Sequence, residues 1–292
     1  MILITGAAGK TGRAVIRALV TRGQEVAALV RRREQVPVVE ALGAIRVVVG
    51  DLQDEAALAE ALQGVRAVYH IPPNMHPEEL AIGRKLLRRA RAVGVERFVY
   101  HSVLHPQTEK MPHHWQKLRV EEALFETGLD FTILQPAVYM ENWLAQRDAI
   151  RQGRYAVPYA AETRLSLVAL ADVAAAAATV LSEGEHNGAT YELVGTSPLS
   201  QYEVAGVFTA VLGYPVAVEV VPRAVWREQA VAAGLSAYAV ETLLAMFAYY
   251  EAFGLVGNPR VLRWLLGREP MTPAAFVQAH WGANAHPATG MG

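Results

Sequence analysis

The stretch "ITGAAGKTG", Ile4 to Gly12, joins a short apolar run, "MILIT", to a helical pattern, "TGRAVIRALVTRG". Its glycines, Gly6, Gly9 and Gly12, are spaced G-x-x-G-x-x-G. Strand, glycine turn and helix in that order are what a dinucleotide phosphate site requires. Gly6 permits the tight turn, Gly9 lets the backbone approach a pyrophosphate, and Gly12 lets the helix lie close on the strand. The helix N-terminus adds amide donors and a favourable dipole. Gly6, Ala8, Gly9, Lys10, Thr11 and Gly12 are therefore the expected cofactor cradle. A glycine turn also serves plain structure; the strand before it and the helix after it favour the nucleotide.

Outward from that turn the same alternation repeats. "EVAALV", "AIRVVVG", "RAVYHI", "ERFVYHS" and "DFTILQP" read as strands, and "DEAALAEALQG", "PEELAIGRKLLRRARAVG" and "WQKLRVEEALFETG" as helices. Val15, Ile16, Leu19 and Val20 form an apolar stripe at helical spacing. Gly23, Gly64, Gly94 and Gly128 close helices, where a residue tolerant of positive φ is wanted. Near-continuous apolar strands between helices call for a parallel sheet covered on both faces. The expected fold is a Rossmann-type doubly wound α/β domain over residues 1–135, which binds NAD(P).

Beyond Asp130 the rhythm loosens. "ENWLAQRDAIRQG", "ADVAAAAATVLSEG" and "SQYEVAGVFTAVLG" read as helices, "ATYELVG" and "VAVEVVP" as strands. The remainder is helical and aromatic, with Trp226, Tyr238, Phe247, Tyr249, Tyr250, Phe253 and Trp264. Residues 136–282 are expected to form a smaller, mostly helical lobe over the C-terminal edge of the sheet, with chain crossings back to it. Ligands of open α/β sheets bind at that edge. The last stretch, 283–292, reads as a flexible tail.

Composition narrows the function. The 292 residues are 52% hydrophobic and 19% charged, enough apolar material for a packed core. With 27 basic and 28 acidic residues the net charge is −1, and the basic stretch "GRKLLRRARAVG" carries apolar residues at helical spacing. It reads as a solvated helix face and not as a nucleic-acid site. The absence of cysteine removes disulfides and thiolate chemistry. None of the nine histidines stands at a convincing metal-ligand spacing, so no metal is expected. No signal peptide or membrane span is legible, and a soluble, cytoplasmic protein is expected.

The strand "EVAALV" ends in Arg31, Arg32 and Arg33, with no acidic residue at its end. An acid there would bond the ribose hydroxyls of NAD, whereas an arginine accommodates the 2′-phosphate of NADP. NADP(H) is expected over NAD(H), with Arg31 on the phosphate by bidentate pairing and on the adenine by stacking. Asp51 and Leu52, in "GDL", stand where the adenine amino group and ring would lie; the plainer reading has Asp51 capping the next helix.

These pieces together resemble the short-chain dehydrogenase/reductase superfamily, in its atypical NmrA-like branch. The residues that carry the resemblance are "TGAAGKTG", "LVRRR", "GDL", "YHS", the Lys117 helix, "LQPAVYMEN" and "ALADVA". Typical members use Tyr-x-x-x-Lys preceded by a serine after the fifth strand. Here Ser102 and Lys117 match, but His113 stands four residues before the lysine, in "PHHWQK". The resemblance implies a cofactor-binding lysine with an altered acid. A catalytic set of Lys117, Ser102 and His113 follows from it. A cationic Lys117 would depress the His113 imidazole and favour its neutral form, a poor acid. A histidine beside Pro112 at a helix start is more often exposed and unremarkable.

His101 alternates with Ser102 along its strand and points the other way. His70 ends the fourth strand and is expected to line the cleft, and Tyr139 is the nearest cleft tyrosine. By resemblance, Pro136 and the backbone after it meet the nicotinamide carboxamide and Asn142 faces the substrate. Asp172 is expected to cap a helix. Two functions remain open: an NADPH-dependent reductase of a small apolar acceptor, such as a quinone or unsaturated carbonyl, and an NADP(H)-sensing regulator acting on a protein partner. The C-terminal aromatics would give a reductase a water-poor pocket, though aromatics at helical spacing are more often core.

Overall fold

In the structure, a computed structural model, residues 1–282 are described; the expected tail 283–292 lies outside the described residues. The β-branched runs form β1 (Ile2–Ile4), β2 (Val26–Val30), β3 (Ala44–Val49), β4 (Ala67–His70), β5 (Arg97–His101) and β6 (Phe131–Pro136). Three short strands follow, β7 (Val138–Tyr139), β8 (Arg154–Val157) and β9 (Leu167–Val168), and then β10 (Ala189–Leu193) and β11 (Ala217–Val220). Seven of them make one parallel sheet in the order β10-β6-β5-β4-β1-β2-β3. The strand order reverses between β1 and β4, the crevice in which a dinucleotide lies across such sheets.

The helices are α1 (Lys10–Thr21), α2 (Val36–Glu40), α3 (Glu55–Leu62), α4 (Glu79–Ala92), α5 (Pro112–Phe125), α6 (Arg147–Arg151) and α7 (Leu170–Ser182). They continue with α8 (Gln201–Leu212), α9 (Arg223–Ala232), α10 (Ala237–Phe253), α11 (Arg260–Leu266) and α12 (Pro273–Trp281). Side chains alternate across each strand, so Ile2 and Ile4 face one layer and Leu3 the other. The first layer is α1 and α7, where Val15, Ile16 and Leu19 meet the small side chains Ala174, Ala177 and Ala178. The second is α3, α4 and α5, packed through Leu58, Leu86, Phe98 and Leu124. Gly23, Gly64, Gly94 and Gly128 end their helices with φ between +66° and +75°, as their sequence positions predict.

The segment from residue 136 contributes both to the sheet and to the lobe beside it. Helix α7 packs on α1, and β10 extends the sheet beyond β6. "ENWLAQRDAIRQG", expected as one helix, is a 3₁₀ stretch, Met140–Gln146, followed by the short α6. Three residues per turn stacks Met140 over Trp143, and both are buried. The ring of Trp143 lies 5.2 Å from Phe208 and 5.6 Å from Phe276, so these aromatics fill the lobe's own core. Phe247 and Tyr250 are buried likewise, whereas Phe253 and Trp264 are exposed.

The expected cap at Asp172 is not made. Ala169 is the N-cap of α7, and the Glu141 carboxylate serves its first amide instead, 2.9 and 3.0 Å from Leu170 N. Asp172, fully buried, pairs with Arg268 at 2.7 Å and accepts from the Met271 amide at 2.6 Å. It ties the α11–α12 connection to α7. Among the described residues no helix is long and apolar enough to cross a membrane.

Candidate functional site

The glycine turn is built as its spacing predicts. Gly6 adopts φ +61°, and its carbonyl accepts the Gly9 amide at 3.0 Å. A Cβ on Gly12 would fall 2.5 Å from the Gly6 oxygen and 2.6 Å from Ala7 Cα, so α1 sits as close to the turn as backbone allows. Gly9 differs. It is extended (φ −71°, ψ 169°), and its Cβ would meet only the Gly6 oxygen, at 3.2 Å. Beyond that one tight contact and the glycine's own chain neighbours, no other part of the described residues comes within 4 Å of the position. No side chain caps α1 at Gly9, so first-turn amides face outward as donors for an anion.

At the end of β2, Arg31 is exposed. The amides of Arg31 and Arg32 both donate to Gln35 Oε1 at 3.1 Å, which fixes the bend that presents the arginines. Gln35 had no signal in the sequence reading. Asp51 is exposed and accepts from the Gln53 amide at 2.9 Å. It does not cap α3: Asp54 does, accepting from Ala56 and Ala57 at 2.9 and 3.3 Å. The Asp51 carboxylate is thus left at the surface beside β3, while Leu52 is buried against the second layer's core.

The C-terminal ends of β4, β5 and β6 carry two separate networks, one on each face. On the α4–α5 face, Lys117 Nζ pairs with Glu79 Oε1 at 2.8 Å, and the Tyr100 hydroxyl donates to the same oxygen at 3.2 Å. Glu79 is 1% exposed. Ser102 donates to the buried carboxylate of Glu121, to which Gln135 Nε2 also donates at 3.0 and 3.2 Å. Burial raises the Glu121 carboxyl, against the lowering effect of those bonds and of Lys117.

His113 is not exposed at the helix start; it is buried, as is His114, whose ring lies edge-on at 4.5 Å. Burial, then His114 and Lys117, push His113 down to about 2, so its ring is neutral and its Nδ1 has no partner. His114 Nδ1 lies 3.1 Å from the His105 carbonyl oxygen. His70, expected to line the cleft, is instead fully buried, stacked on Tyr100 with Nδ1 2.8 Å from Thr5 Oγ1, and burial pushes it down to about 3.

His101 points to the opposite face from Ser102, as strand alternation predicts. Its Nδ1 lies 2.7 Å from the Tyr69 hydroxyl and its Nε2 2.9 Å from the Tyr139 hydroxyl. Pro136 is buried; its carbonyl accepts from the Leu104 amide at 2.9 Å, and the Ala137 amide donates to Leu193 at 3.1 Å. Asn142 is exposed. Among the described residues no three histidine, aspartate or glutamate side chains are grouped to hold a metal.

Comparison with known proteins bears on this geometry. The profile of the NmrA-like family matches residues 1–284. The chain belongs to the NmrA-like family. It is 30% identical to quinone oxidoreductase 2 of Escherichia coli (strain K12) over 286 residues, 97% of this chain and 100% of that protein. It is 27% identical to an NAD(P)H azoreductase of Xenophilus azovorans, over 97% of this chain and 99% of the other. The crystal structure of the Escherichia coli NADPH-dependent quinone oxidoreductase complexed with NADPH matches with a TM-score of 0.84 at 30% identity, covering 96% of this chain and 100% of that one.

In this NmrA-like protein burial is the main cause that lowers His70, His101, His113 and His114, and the Lys117 charge adds to it at each. The structure gives Ser102 and Lys117 carboxylate partners that the sequence reading missed, Glu79 and Glu121. The one available signal was Glu121 itself, four residues after Lys117, the spacing of a helical ion pair. The lysine instead reaches across to α4.

Proposed function

We propose that this protein is an NADPH-dependent reductase of small apolar acceptors, quinones foremost. The observation that carries the reading is the uncapped start of α1 at Gly9, where an added Cβ would meet only the Gly6 carbonyl oxygen, in a chain similar over 97% of its length to a quinone oxidoreductase. The amides of the turn hold the diphosphate, and Arg31, presented by Gln35, holds the 2′-phosphate. Bound NADPH would supply a hydride from its nicotinamide to an acceptor at the C-terminal edge of the sheet.

The remaining side chains favour acceptors of one kind. His113 is neutral, Ser102 is committed to Glu121, and Lys117 to Glu79. No residue of α5 stands ready to protonate a substrate. A quinone takes up hydride without concerted protonation, whereas an unactivated ketone needs an acid in the transition state. The buried face of α5 and the lobe beside it exclude water from the site.

Steady-state oxidation of NADPH and NADH with a panel of quinones, azo dyes and simple ketones tests this. Turnover is expected with quinones, faster with NADPH, and absent with ketones. A protein that binds NADPH but oxidises it with no acceptor would overturn the reading in favour of a regulator.

A further inference from the structure

Tyr69 is fully buried, and among the described residues its hydroxyl has one hydrogen-bonding neighbour, His101 Nδ1 at 2.7 Å. A buried O–H left without an acceptor is strongly disfavoured, so Tyr69 donates to His101. Nδ1 is then the acceptor nitrogen. A neutral imidazole has one N–H, which must lie on Nε2, and Nε2 lies 2.9 Å from the Tyr139 oxygen. The Tyr139 oxygen therefore accepts from His101. Its own proton is therefore not directed at His101 and is available to the Thr11 hydroxyl or to a substrate oxygen.

That O–H has a defined place. Tyr139 is half-buried in β7, held by its pairing with Val168 of β9. The Thr11 hydroxyl, from the glycine turn, lies beside the Tyr139 oxygen. His101 ends β5 and Tyr69 precedes the last residue of β4, so the row Tyr69–His101–Tyr139 runs along the C-terminal edge of the sheet towards Thr11 of the glycine turn.

We propose that Tyr139 is the hydrogen-bond donor to the acceptor oxygen in this enzyme, taking over from the residue missing on α5, and that Tyr69 and His101 are positioning residues that set the direction of its O–H. The proposal rests on the reductase reading. The acceptor gains two electrons and one hydrogen as hydride while NADPH becomes NADP⁺, and negative charge develops on an acceptor oxygen. Tyr139 stabilises that oxygen through its hydrogen bond and keeps its own proton. The proton that completes the reduced acceptor comes from water.

The test compares wild type, Tyr139→Phe and Tyr69→Phe. Nitrogen-15 NMR of His101 should show the proton on Nε2 in wild type and a mixture of tautomers in Tyr69→Phe. Single-turnover quinone reduction should fall about 100-fold in Tyr139→Phe, the scale of one lost oxyanion donor, with NADPH affinity within about twofold. Tyr69→Phe should slow it less, with NADPH affinity again unchanged. Weaker NADPH binding with an unchanged rate at saturation would make Tyr139 a cofactor ligand and overturn the proposal, as would an unaffected Tyr139→Phe or a wild-type His101 protonated on Nδ1. No turnover in wild type would sink the reductase reading itself, and this proposal with it.

Discussion

Two glycines of the cradle should differ in stability, though not in loss of NADPH affinity, when each gains the same methyl group. In Gly12→Ala the new Cβ falls 2.5–2.6 Å from three backbone atoms, Gly6 O, Ala7 Cα and Ala7 O. Real carbon contacts need about 1 Å more, so α1 must move off the turn, at about 1–3 kcal/mol for an overpacked site. In Gly9→Ala the only contact is Gly6 O at 3.2 Å, and φ −71° suits any residue. Loss of unfolded-state freedom alone would add about 0.4–1 kcal/mol of stability there. The same Cβ occupies the space where a diphosphate meets the backbone. Urea unfolding and fluorescence titration of NADPH separate the two effects. Gly9→Ala should unfold within about 1 kcal/mol of wild type and lose NADPH affinity at least tenfold. Gly12→Ala should lose both stability and affinity. A stable Gly9→Ala with undiminished affinity would refute the phosphate site.

Arg31→Asp should weaken NADPH about 10- to 100-fold, the loss of one charge-assisted pair, and leave NADH within a few-fold; equal losses would remove the 2′-phosphate from Arg31. Glu79→Gln strands the Lys117 ammonium in a site where its side chain is 14% exposed. About 3 kcal/mol should be lost, with most of it restored in Glu79→Gln/Lys117→Met, as read by denaturant melts; a loss under about 1 kcal/mol would mean the pair is screened. His70, His101, His113 and His114 fold with values pushed by burial to about 3, 3, 2 and 4. Because these lie below the unfolded value, near 6.5, the unfolded chain takes up more protons in acid. Stability should be full above about pH 6.5 and fall below it, by up to about 1.4 kcal/mol per pH unit for each histidine, with the raised Glu121 and Glu141 opposing the fall. Unfolding free energies at about pH 7.5 and pH 5.5 that agree would contradict the buried neutral state of these rings.

The doubly wound half was legible because its signals are local. Apolar runs, helical stripes and the glycine stops at Gly23, Gly64, Gly94 and Gly128 each act within a few residues. The pairings of β8 with β11 and of β7 with β9 were not, since strands of two to four residues have no period and their partners lie far along the chain. The conformation of the glycine turn and the opposed directions of His101 and Ser102 could be read for the same local reason. Glu79 and Glu121 could not. In one dimension each is an ordinary polar residue on an amphipathic helix, and only the approach of α4 to α5 buries both beneath β5. The exposure expected for His113 failed for that reason too: Pro112 begins the helix as expected, but the site packs over its first turn.

The central claim is that hydride leaves NADPH on this protein for a quinone. Its most direct test is single-turnover oxidation of bound NADPH, followed by near-ultraviolet absorbance after mixing with quinone, using cofactor of natural composition and cofactor carrying deuterium at the transferred position of nicotinamide C4. The predicted result is complete decay of the absorbance, slowed several-fold by deuterium. Bound NADPH that keeps its absorbance with every quinone would contradict the account.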